Sequence, residues 1–320
     1  NRTKPVFYHW KNNFELSNIE KINLSHLGSK KLFVRFFDVI WDESSKEALP
    51  KGELTIYDAL NDYEVTPTIY LDHEIFNNLS EEQCKTFAQL VAKKVKEMAI
   101  NSNITPKEIS VDCNWEIKSQ KGYFLFLNQL KSNNNWSISC GINSAKLNLK
   151  RYRVPPIDYV ILQLYKQSIS SKLGRKTFFD LTEMEAVSKM ASNYPLKMSL
   201  AFPLFSRAIH TRNKSVLRIL PRREYTDFMN NENFDVDTPY IKVWKENRFK
   251  NFNFNKNDLI YMEQANEKEN YKVLELILKN KGGKQYKNLL FFDLDDYNMV
   301  HYDYSSIEEL TSLFTEHYER

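Results

Sequence analysis

Short apolar runs alternate with amphipathic stretches along most of the chain. Val6–Trp10, Leu32–Val39, Thr66–Leu71, Glu108–Glu116, Trp136–Asn143, Tyr159–Tyr165, Met198–Phe202 and Leu289–Leu294 read as strands. Leu32–Val39 is almost continuously apolar, as a parallel strand covered on both faces requires. Between these runs the apolar period lengthens to that of a helix. About Asn18–Leu27 carries Ile19, Ile22 and Leu27. Ser80 and Gln83 match a capping box for a helix reaching about Ile100, with Cys84, Phe87, Ala88, Val91, Val95 and Met98 on one side. Gln120–Lys131, Thr182–Ala191, Asn270–Asn280 and a terminal segment opened by Ser306 and Glu309 complete the set. Eight strands, most with a helix behind them, predict an α/β fold, a (β/α)8 TIM barrel. A doubly wound open sheet is the alternative.

The rhythm lapses between strands seven and eight. Lys214–Lys256 is charged and Asn-rich. It predicts an irregular insertion over about 213–257, a lid or a small β subdomain, within a single domain spanning 1–320. Trp41–Glu64 also lacks a clear period and reads as a loop that caps the barrel's open end.

Composition narrows the function classes. The chain has 320 residues, enough for a barrel that typically takes ~250. Its 45 basic and 41 acidic residues leave a net charge of +4, too balanced to predict a nucleic-acid partner. Arg218, Arg222 and Arg223 are a local basic cluster only. Seven glycines, with no GxGxxG and no P-loop, remove the usual phosphate cradles, so no cofactor is expected. Cys84, Cys113 and Cys140 show neither a disulfide framework nor a CxxC site. The histidines lack ligand spacing, and the directions of Asp72, His73 and Glu74 alternate, so no metal is expected. No apolar run is long enough to span a membrane. The start at Asn1, without Met, reads as a processed or trimmed end.

Strand parity then selects candidate chemistry. In a barrel, active residues lie at the C-terminal ends of several strands. In Glu108–Glu116, Asp112, Asn114 and Glu116 share one face if the strand persists to its end. The other strands offer Trp10, Asp38, Tyr70, Asp72, Asn143, Gln163, Tyr165 and Asp293. Arg35 and Asp38 have opposite parity, so both face the mouth only if a bulge intervenes. Arg35 is expected to pair structurally with a carboxylate. Two carboxyls flanking a sugar bond can hydrolyse it, one as acid and one as nucleophile or stabiliser. Glu116 fits the acid and Asp112 its electrostatic partner. Trp10 and Tyr70 would stack on sugar rings. Asn114 and Tyr165 would contact the substrate around the scissile bond, Asp38, Asp72 and Asp293 would hydrogen-bond hydroxyls, and Asn143 and Gln163 would add substrate contacts.

Asp112-x-Asn114-x-Glu116 resembles the end of the Asp-x-Asp-x-Glu motif of family 18 glycoside hydrolases, the chitinase-like barrels. That resemblance implies Glu116 as acid, an orienting carboxylate at position 114, and Tyr165 assisting from strand six. Asn114 and Lys166 stand where that family carries Asp. Val34–Val39, Val111–Trp115, Pro155–Tyr165 and Ala201–Ser206 further resemble an uncharacterised bacterial family of glycosidase-like barrels, often envelope lipoproteins. This second resemblance implies export to the cell envelope, a lipid anchor upstream of Asn1, and a glycan or oligosaccharide partner. The two replaced acids keep a second reading open, a non-catalytic glycan-binding or partner-binding protein on the same scaffold.

Overall fold

The computed structural model describes residues 3–166, 178–221, 226–237 and 240–318. Arg222 and Arg223 of the basic cluster lie outside them. Eight parallel strands form a closed barrel. They are β1 Val6–His9, β2 Lys31–Asp42, β3 Glu64–Leu71, β4 Glu108–Cys113, β5 Ser137–Ile142, β6 Tyr159–Gln163, β7 Lys197–Pro203 and β8 Tyr286–Phe292. β1 closes the barrel: Phe7 lies opposite Leu32 on one side and Phe291 on the other. Closure excludes the open doubly wound sheet.

The outer layer is α1 Asn18–Leu27, α2 Glu81–Asn101, α3 Ile117–Ser132, α4 Leu181–Ser192, α5 Glu267–Lys279 and α6 Tyr304–Tyr318. Ser80 and Gln83 form the expected reciprocal cap on α2. Two starts differ from the sequence reading. α4 is capped by the Asp180 side chain, which accepts from the N–H groups of Thr182 and Glu183. α6 begins two residues before Ser306, with Asp303 accepting from Ser305 N–H. Two helices are replaced. After β5 comes a single 3₁₀ turn, Ser144–Leu147. After β2 the chain folds back as an antiparallel strand, Glu47–Lys51, so Trp41–Glu64 is partly a hairpin and not a loop throughout.

The barrel interior is layered. At its floor, β2, β4, β6 and β8 supply Lys31, Glu108, Tyr159 and Lys287, one residue from each alternate strand. The Glu108 carboxylate is buried. It lies 3.0 Å from Lys31 Nζ and 3.7 Å from Lys287 Nζ, and it accepts from the Tyr159 hydroxyl. Higher up, Tyr8 packs on Phe33, Phe292 and Trp10, with ring centres 5.4, 5.4 and 6.0 Å away. Cys84, Cys113 and Cys140 are all buried and free. The 14% aromatic content is largely spent in this core, with Tyr8, Phe7, Phe14, Phe33, Phe36, Phe37, Trp115 and Tyr123 fully enclosed.

Between β7 and α5 stands a five-stranded antiparallel sheet. Its order is 215–221, 206–212, 259–264, 240–243 and 234–237. It has an apolar core of its own, built on Ala208, Phe228, Phe234, Ile241, Phe254 and Ile260. Arg207 ties it to the barrel. The guanidinium pairs with Glu263 at 2.7 and 2.6 Å and donates to the Tyr165 carbonyl at 2.9 Å.

Candidate functional site

Strand four ends at Cys113, three residues short of Glu116. Parity therefore governs Asp112, which points into the barrel and is 5% exposed. Trp115 turns under α3 and is fully buried. Asn114 is exposed, and Glu116 becomes the N-cap residue of α3, where its N–H donates to Ser119 Oγ at 2.8 Å. The shared face foreseen for Asp112, Asn114 and Glu116 thus breaks after Cys113, because the strand ends there and the chain turns to start a helix at Ile117.

Two cations hold the two carboxylates. Lys166 Nζ lies 2.9 and 3.0 Å from the two Asp112 oxygens. Gln163 Nε2 approaches the same carboxylate at 3.4 Å. Gly141 makes that approach possible: a Cβ at Gly141 would sit 2.5 Å from Gln163 Nε2. Lys146 Nζ lies 3.8 Å from Glu116 Oε1, and the Tyr152 hydroxyl donates to Glu116 Oε2 at 3.3 Å. The Lys146 ammonium also sits over the rings of Tyr152 and Trp115, 4.1 and 4.7 Å from their centres. Burial lowers its proton affinity.

These groups surround a cavity of about 390 Å³ at the barrel mouth, lined in part by Asn114, Glu116, Asn143, Gln163 and the two lysines. Arg207 and Ile219 of the inserted sheet reach its rim. The size lies at the small end of the ~300–1,000 Å³ usual for small-ligand sites.

The remaining candidates divide into two groups. Tyr8, Tyr70 and Tyr165 surround Asp112. Burial and then the Asp112 charge push Tyr70 up to about 12. Burial and the neighbouring Tyr8 hold Tyr165 well above the ordinary phenol range. Its hydroxyl is enclosed and has no hydrogen-bond partner among the described residues. Trp10 is half-buried, stacked near Phe292 and under the Arg35 guanidinium.

The others are occupied by the scaffold. The β2 register shifts between Arg35 and Phe37, and this bulge brings Arg35 and Asp38 to one side as a two-pronged ion pair. Asp72 accepts from Glu74 N–H at 3.1 Å and Trp41 N–H at 3.4 Å. Asn143 caps the 3₁₀ turn through Lys146 N–H. Asp293 is fully buried and takes Asn298 Nδ2 at 2.9 Å. Of these four, Asn143 also lines the cavity described above.

Lys146 and Arg207 were missed by sequence reasoning, and Lys166 was noted only as a departure. The signal for Lys166 was its position directly after Tyr165, at the end of a strand that aims at Asp112. Lys146 and Arg207 carried no such signal. Among the described residues no group of three His, Cys, Asp or Glu side chains is placed to hold a metal. No helix there is long and apolar enough to cross a membrane.

No protein-family model and no curated protein sequence matches the chain. Solved structures do. The spore cortex-lytic enzyme SleL of Bacillus cereus superposes with a TM-score of 0.55 at 8% identity, covering 98% of this chain and 75% of the enzyme. A class V chitinase from Nicotiana tobaccum gives 0.53 at 9% identity, covering 100% of this chain and 99% of its own. A chitinase-like agglutinin from Robinia pseudoacacia gives 0.51 at 10% identity, over 98% and 99%. The fold is that of the family 18 chitinase-like barrels. Such low identities carry the fold and not the roles of residues, and the fold houses both lytic enzymes and an agglutinin.

Proposed function

We propose that this chitinase-like barrel binds a glycan at its mouth and does not hydrolyse it. One observation carries the reading: Lys166 occupies both oxygens of the buried Asp112 carboxylate. A hydrolase of this architecture needs carboxylates free to donate a proton and to stabilise a positive sugar centre. Here the inner carboxylate is neutralised by an ammonium. The middle position is the amide Asn114, which cannot supply negative charge. The outer carboxylate, Glu116, is 56% exposed and shares Lys146 and Tyr152. The cavity keeps what binding needs: the amides of Asn114, Asn143 and Gln163 and two ammonium groups around a preformed hollow.

The test measures binding and turnover together. Chito-oligosaccharides and peptidoglycan fragments are titrated calorimetrically, and the same mixtures at high protein concentration are followed for cleavage products. Binding without products is the expected result. Cleavage abolished by Glu116→Gln would reject this reading and establish a hydrolase with Glu116 as its acid. That alternative is favoured by one observation, the exposure of Glu116 beside the cavity. Placement in the cell envelope is part of the proposal on the resemblance alone, and fractionation of the native protein checks it.

A further inference from the structure

Three cations, Lys146, Lys166 and Arg207, line the cavity, and their carboxylate partners hold them to different degrees. Arg207 is already satisfied: Glu263, the Tyr165 carbonyl and the face of Phe178, 4.5 Å from the guanidinium carbon, account for it. The two lysines are not. Lys146 is the sharper case. Its side chain is only 5% exposed, yet the paired oxygen of Glu116 stays 3.8 Å away, longer than an ordinary hydrogen bond. Buried charges are ordinarily paired and hydrogen-bonded, because losing water costs several kcal/mol per ion. Two aromatic faces compensate in part. They supply no acceptor.

Lys166 is partly free in another sense. An ammonium carries three donors. Among the described residues both contacts of Lys166 go to one carboxylate, and its side chain remains 27% exposed beside the cavity. The two lysines therefore line one hollow, Lys146 from the turn after β5 and Lys166 from three residues beyond the end of β6. Between them the lining is uncharged: Gly141, Ile142, Asn143 and Gln163. Glu116, a carboxylate lining the cavity, is 56% exposed.

We infer that the glycan taken by this barrel is acidic, a sugar whose carboxylate lodges between Lys146 and Lys166. The inference rests on the glycan-binding reading above and narrows it. A carboxylate would give Lys146 a closer acceptor than Glu116 and take the spare donor of Lys166, both as charge-assisted hydrogen bonds. A neutral sugar offers only hydroxyls and amides, which leave the buried cation without a counter-charge in reach of a hydrogen bond. Part of the recognition would then be electrostatic and would weaken as salt screens it.

The experiment compares two disaccharides that differ in one substituent. Chitobiose is neutral, and N-acetylglucosaminyl-N-acetylmuramic acid carries a carboxyl on a lactyl ether. A hyaluronan disaccharide, with its carboxyl on the ring, is the second acidic probe. Each is titrated calorimetrically into the full chain at low and at high salt. At least one acidic probe should bind about tenfold or more tighter than chitobiose at low salt, with the margin shrinking at high salt. Lys146→Gln and Lys166→Gln should each erase most of that margin, and Lys146→Arg should keep it. Thermal unfolding of each variant confirms that the compared proteins are folded. Chitobiose binding as tightly as both acidic probes overturns the acidic preference and leaves glycan binding standing. Absence of binding by all three probes, and by longer chito-oligosaccharides and peptidoglycan fragments, overturns the glycan reading itself. An acidic margin that survives both glutamine variants overturns the assignment to these lysines.

Discussion

Lys166→Met isolates the contact on which the functional reading depends. Asp112 is 6% exposed at its side chain and Lys166 is 27% exposed. The ammonium supplies contacts of 2.9 and 3.0 Å; among the described residues the other donor, Gln163 Nε2, stands off at 3.4 Å. Methionine keeps most of the apolar stem and deletes the charge, so the loss falls on Asp112. Removing one partner of a buried pair costs ~3–5 kcal/mol when both are enclosed. Lys166 is partly solvated, so the expected loss is about 2–3 kcal/mol. In a chain of 320 residues that corresponds to a fall of roughly 3–5 °C in the unfolding midpoint. Urea unfolding at neutral pH, followed by circular dichroism, measures it. Asp112→Asn in the Lys166→Met background should recover most of the loss, because the buried group is then neutral. A coupling of ~1 kcal/mol or more between the two substitutions is expected. If Lys166→Met unfolds within ~0.5 kcal/mol of the parent, or if the double variant loses the full sum of the two, Asp112 does not depend on Lys166 and the argument against catalysis loses its basis.

Three further outcomes test the surrounding structure. Gly141→Ala places a methyl 2.5 Å from Gln163 Nε2 and must push the amide away from Asp112; a loss of ~1–3 kcal/mol in urea unfolding and weaker glycan binding are expected. Arg207→Met removes the tie between the inserted sheet and the Tyr165 carbonyl and leaves Glu263 buried without its guanidinium. Limited proteolysis should then cut within 206–264 well before the barrel, and equal resistance would contradict the anchoring role. Asp258 is pushed up by burial, yet contacts from Arg212, the Asn255 N–H and His210 win and hold it at about 2. Its folded value lies below the ordinary ~3.9, so its stabilisation is complete above about pH 4 and is lost as pH falls toward 2. Hydrogen exchange along Ser206–Arg212 and Leu259–Gln264 should accelerate over that interval, and Asp258→Asn should flatten the response.

The legible parts of this fold were those written in local periods. Ser80 and Gln83 sit three residues apart and cap α2 as their types predict. Period-two alternation placed Asp112 inside the barrel. The alternation also made the pairing of Arg35 with Asp38 conditional on a bulge, and the bulge is there. The inserted sheet was harder to read. Its strands are short and charged, and Val216, Leu217 and Ile219 of its edge strand remain exposed, so no clean alternation marks a buried face. The start of α4 was misread because Asp180 competes with Thr182 for the cap and only geometry decides between them.

The opening motif shows where local reading stops. Residue types and spacing determined by themselves that Asp112, Asn114 and Glu116 stand near the end of a barrel strand. Both the strand parity and the polarity of those side chains are properties of nine consecutive residues. The tertiary structure alone decided what the carboxylates can do. The strand stops at Cys113, so Glu116 turns out to the rim while Asp112 stays in the barrel. Asp112 then meets Lys166, 54 residues further along the chain. A cation that distant in sequence reaches the carboxylate only because eight strands curve into a closed wall. The charge at the centre of the site is set by that closure, and no window of sequence contains it.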